Sequence, residues 1–73
     1  MKNILEQVGL NIILLREKQG LTQEKLAHLA GLHRAYIGQI ERGEKNIGIR
    51  NLGKIAKALN VSVKSLLSSS DID

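Results

Sequence analysis

Apolar residues recur along this chain at intervals of three and four, and no segment alternates for long, so the pattern predicts helices throughout. The first helix is expected over Asn3–Gln19, with Ile4, Val8, Ile12 and Leu15 on one stripe and Gly20 as its left-handed terminator. The second spans Gln23–Ala30, with Thr22 as N-cap, Leu26, Ala27 and Ala30 inward, and Gly31 as the turn residue. The third spans Arg34–Glu41 and is closed by Gly43. The fourth spans Ile49–Leu59, with Leu52, Ile55, Ala56 and Leu59 inward and Asn60 at its end. Ser62 caps a last helix running to Leu67. Short connections between these segments predict an all-α, compact five-helix bundle in a single domain, with its core over residues 8–67 and a frayed tail over 68–73.

The third helix divides most sharply. At about 100° per residue, with Arg34 at zero, Gly38 falls at about 40°, Arg42 at about 80°, Ala35 at about 100° and Gln39 at about 140°. Tyr36, Ile37 and Ile40 occupy the opposite side, expected to bury against helices two and four. The polar side carries chemistry that reads base edges. Arginine donates two parallel hydrogen bonds to guanine, glutamine pairs with adenine, and a small alanine meets the thymine methyl. Gly38 costs about 1 kcal/mol of helix propensity relative to alanine; either it lets the backbone sit deep in a groove or it is tolerated drift. His33 occupies an N-cap position that it fills poorly, which leaves it as a candidate for a phosphate or base contact or as a merely tolerated residue.

Charge sharpens this picture. The formal net charge is +4 over 73 residues. Most of it is local: between residues 31 and 66, Arg34, Arg42, Lys45, Arg50, Lys54, Lys57 and Lys64 oppose only Glu41 and Glu44. A polyanion-binding face has this distribution, although a solvated surface also accommodates it. Composition narrows the classes further. There is no cysteine, Tyr36 is the sole aromatic, and His28 and His33 are five apart across a turn, so no disulfide, metal site or other cofactor is expected. No Ser/His/acid set or carboxylate pair suggests an enzyme. Glu6 and Gln7 interrupt any signal-peptide layout, and the longest apolar run is Ile12–Leu15; a cytoplasmic protein with no membrane partner is expected.

The pieces Leu15-Arg16-Glu17, Gly20-Leu21-Thr22-Gln23, Leu26-Ala27, Ala30-Gly31, Tyr36-Ile37, Ile40-Glu41-Arg42-Gly43 and Ile55-Ala56-Lys57-Ala58-Leu59 together resemble the Cro/C1-type (XRE-type) helix-turn-helix regulators of bacteria and phages. Within that family, RAYIGQIERGEKN is most similar to the controller proteins of restriction–modification systems. The resemblance implies a lambda-repressor-like fold with helix three in the major groove of double-stranded DNA. It implies base-reading positions at Arg34, Ala35, Gly38 and Gln39. It places phosphate contacts at Gln23, Arg42, Lys45 and Asn46, to which the cap position of His33 adds a further backbone candidate, with Tyr36 either packing or reaching the backbone. It makes Arg16 and Glu41 a partly buried ion pair joining helices one and three.

The chain departs from the family pattern in three places. Ile47 stands where a rigid residue is usual, Gly48 where serine or threonine caps, and Ile13 and Leu14 where charges are common. Ile13 and Leu14 are expected to need a cover. Family dimers meet through the last two helices, which implies a homodimer with Ile47, Ile49 and Leu66 as interface candidates. No small-molecule effector is expected. The resulting expectation is a sequence-specific transcriptional regulator acting on a palindromic operator; the alternative is a protein–protein interaction module or antitoxin-type regulator on the same fold.

Overall fold

The computed structural model describes residues 3–68; residues 69–73, most of the expected tail, lie outside the described residues. Five α-helices follow in order: α1 (Ile4–Lys18), α2 (Gln23–Ala30), α3 (Arg34–Glu41), α4 (Ile49–Ala58) and α5 (Val63–Leu67). Their ends follow from local chemistry. The Asn3 side chain accepts from the Glu6 amide at 2.8 Å, and Glu6 reaches back to the Asn3 amide at 3.4 Å, a reciprocal cap that starts α1. Thr22 accepts from the Lys25 amide at 3.0 Å and starts α2. Gly31 takes the left-handed conformation (φ 70°) that turns the chain from α2 toward α3.

The core is aliphatic: Val8, Ile12, Leu26, Ala27, Ala30, Ile37, Ile40, Leu52, Ile55, Ala56, Leu59 and Leu66 are buried together. The expected stripes of α2 and α4 lie within it, but Ile4 does not, being 59% exposed in the first turn of α1. The α3 helix packs mainly against α1 and α2, not α2 and α4 as the sequence suggested; α4 reaches it through the Asn51 amide, which donates to the Tyr36 hydroxyl at 3.0 Å. Helix α5 packs on α1 and α4. Leu66 is fully buried there, so it belongs to the core and offers no dimer surface; its neighbour Leu67 faces outward. A pentapeptide helix presents alternate sides to core and solvent, and the sequence pattern did not fix which leucine faced in. Ile13 is half-buried, so only Leu14 is openly exposed in that pair.

Two buried amides secure the closing helix. Asn11 donates to the Leu66 carbonyl at 2.9 Å and the Ser68 carbonyl at 2.6 Å, while accepting from Gln7 at 3.1 Å. The Ser68 carbonyl is therefore tied to α1. No buried side-chain nitrogen or oxygen lacks a partner among the described residues. No described helix is long and apolar enough to cross a membrane.

Candidate nucleic-acid interface

The α2–turn–α3 unit is held from behind by Glu41. Its carboxylate receives Arg16 Nε at 2.7 Å, Arg16 Nη2 at 3.2 Å and Gln23 Nε2 at 2.8 Å. Arg16 also donates to the Leu21 carbonyl at 2.8 Å. The start of α2, the end of α3 and the body of α1 thus meet on one carboxylate. The Arg16 and Glu41 side chains are only 12% and 3% exposed, so the pair belongs to the scaffold. The hydrogen bond from Arg16 to Glu41 raises the arginine pKa above its ordinary value, against the opposing effect of burial.

In front of that scaffold lies the outer side of α3. Arg34 and Ala35 are exposed, and Gln39 is half-buried. His33 occupies the N-cap without a side-chain cap bond, leaving its ring free of the helix it precedes. Tyr36 is half-buried, its hydroxyl engaged by Asn51. Lys45 and Asn46 are exposed on the segment after α3.

Three sequence expectations change here. Gly38 is buried in the free protein, covered by a neighbouring side chain. The reason is Arg42, whose Nη1 would stand 3.1 Å from a β-carbon at residue 38, with Gln23 Nε2 3.9 Å from the same point. Gln23 is partly committed to Glu41, leaving one side-chain N–H and its backbone amide at the start of α2 for an anion. Ile47 packs in part against the core, whereas Ile49 is 76% exposed.

Arg42 has a partner that sequence reasoning passed over. It donates through Nε at 2.8 Å and Nη2 at 3.2 Å to the two carboxylate oxygens of Glu44. The hydrogen bond between them raises the arginine pKa and lowers the glutamate's. The available signal was a carboxylate two residues beyond an arginine on the same turn. Gly9 was also missed: it brings α1 onto the α3 backbone, and its signal was a glycine inside an otherwise regular apolar stripe.

A family model described as helix-turn-helix matches residues 12–66. Control protein C.SmaI of Serratia marcescens is 46% identical over 66 residues, covering 90% of this chain and 79% of that protein. The fold is similar to the crystal structure of the restriction-modification controller protein C.AhdI from Aeromonas hydrophila (TM-score 0.83, 42% identity, 85% of this chain and 94% of that one). It is also similar to SinR, the master regulator for biofilm formation, solved in complex with DNA (TM-score 0.80, 35% identity, 84% of this chain and 98% of that one).

Proposed function

The chain belongs to the helix-turn-helix family of DNA-binding transcriptional regulators, and from that membership we propose that it works as a homodimer on a palindromic operator, with α3 in the major groove. The observation that carries this reading is the division of α3. Ile37, Ile40 and Glu41 are locked inside, while Arg34 and Ala35 stand open on the other side. Arg34 reads guanine through its two parallel donors, Ala35 lies against a thymine methyl, and Gln39 reads adenine. Gln23, His33, Arg42, Lys45 and Asn46 hold phosphates on either side of α3, and they set register without selecting sequence.

One such helix covers only a few base pairs, and two-fold pairing doubles the contacts. Ile49 on α4 and Leu67 on α5, both exposed, supply apolar surface for a second copy. The bound dimer acts by occupying a promoter, and its own concentration sets that occupancy. Likeness to restriction–modification controller proteins supports a role in the control of such a system.

Selection of fragments from random DNA with the purified protein tests the reading. The expected result is a palindrome with half-sites about one helical turn apart or a multiple of it, bound with steep salt dependence. Absence of any enriched site overturns the reading; an enriched site without two-fold symmetry overturns the dimer.

A further inference from the structure

We propose that Glu44 is a built-in competitor for the DNA phosphate that Arg42 grips, so that its carboxylate restrains the affinity of this protein for DNA of any sequence. The inference rests on the reading of α3 as the DNA-facing helix.

Arginine holds carboxylates and phosphates with the same planar fork of donors. In the free protein two arms of that fork, Nε and Nη2, are filled by the Glu44 oxygens at 2.8 and 3.2 Å. The third arm, Nη1, lies over Gly38, where a β-carbon would stand 3.1 Å away. The guanidinium is therefore folded back across the outer side of α3, in a seat that exists because residue 38 has no side chain. A phosphate reaching this seat meets an arginine whose Nε/Nη2 edge is already held by a carboxylate.

Glu44 is distinctive in its surroundings. Between residues 31 and 66 the only carboxylates are Glu41 and Glu44. Glu41 is buried and bound to Arg16, so Glu44 is the one exposed negative charge within a strongly cationic stretch. Its pair with Arg42 is open to solvent on both sides, at 58% and 52% side-chain exposure. An exposed pair of this kind is weak, so exchange of carboxylate for phosphate is readily reached. The restraint is correspondingly modest, a few-fold in affinity, and acts on the sequence-independent part of binding.

A double-mutant cycle of Glu44→Gln and Arg42→Ala tests this, with binding measured to a mixed-sequence duplex of about two helical turns. Glu44→Gln is expected to tighten binding by about two- to fivefold, the range set by a surface ion pair. In the Arg42→Ala background the same substitution is expected to gain clearly less. Melting curves of each variant control for the fold, and the exposure of both residues keeps the variants folded. If Glu44→Gln leaves affinity unchanged, or gains equally with and without Arg42, Glu44 is no competitor for the fork. If the unsubstituted protein binds no duplex at all, the DNA-facing reading of α3 fails instead, and the inference with it.

Discussion

Gly9 on α1 lies so close to Glu41 on α3 that a β-carbon at residue 9 would stand 2.5 Å from the Glu41 carbonyl oxygen, and equally close to that of Ile40. Both obstacles are backbone, so neither turns aside as a side chain would. Gly9→Ala is expected to push α1 off α3 and destabilise the fold by at least about 1–3 kcal/mol. At this chain length each kcal/mol lowers the melting temperature by about 4–8 °C. A melt within about 2 °C of the parent would contradict the close approach.

Glu41 anchors three elements, so removing one member of its cluster strands a charge with little access to water. Arg16→Ala and Glu41→Ala are each expected to cost about 3–5 kcal/mol. That is a large share of the stability of a domain this small, so both variants should unfold at a much lower denaturant concentration than the parent at neutral pH. Replacing both residues together by apolar side chains of similar volume should restore most of the loss, because no charge is then left alone.

Gly38 offers the opposite case to Gly9. The atom nearest an added β-carbon is the end of the exposed Arg42 side chain, which swings away cheaply. Gly38→Ala is therefore expected to raise stability by up to about 1 kcal/mol through helix propensity. A fall in melting temperature would show that the Arg42 seat is rigid.

Arg34 is exposed and makes no side-chain hydrogen bond among the described residues, so its loss should separate binding from stability. Arg34→Ala is expected to leave the melt within about 0.5 kcal/mol of the parent. The same substitution should weaken binding to the selected operator by about 1–3 kcal/mol and relax preference at one base pair of each half-site. Titrations against single-base operator variants check this directly.

Ile49 and Leu66 were grouped together by sequence and should behave differently. Ile49→Glu is expected to shift the protein toward monomer in sedimentation while preserving the fold, since the side chain is 76% exposed. Leu66→Ala removes a fully buried side chain and is expected to cost about 2–5 kcal/mol of stability.

The helices and most of the core were legible in the sequence because both depend on local periodicity. Leu26, Ala27 and Ala30 on α2, and Leu52, Ile55 and Ala56 on α4, repeat at helical spacing, and the glycines and caps mark where each helix stops. The division of α3 follows from the same angular count. What local periodicity left open depends on residues distant in sequence. Arg16 and Glu41, 25 positions apart, were paired by the family resemblance and not by local spacing, and they meet only where α1 crosses α3. Asn11 becomes a bridge only when α5 folds back over it, 55 positions later. Leu66 rather than Leu67 turns inward because α5 docks on α1 and α4, a choice its five residues do not encode alone. Local spacing therefore determined which face of α3 is polar, while long-range packing decided which polar groups on that face stay free and which the fold has already taken.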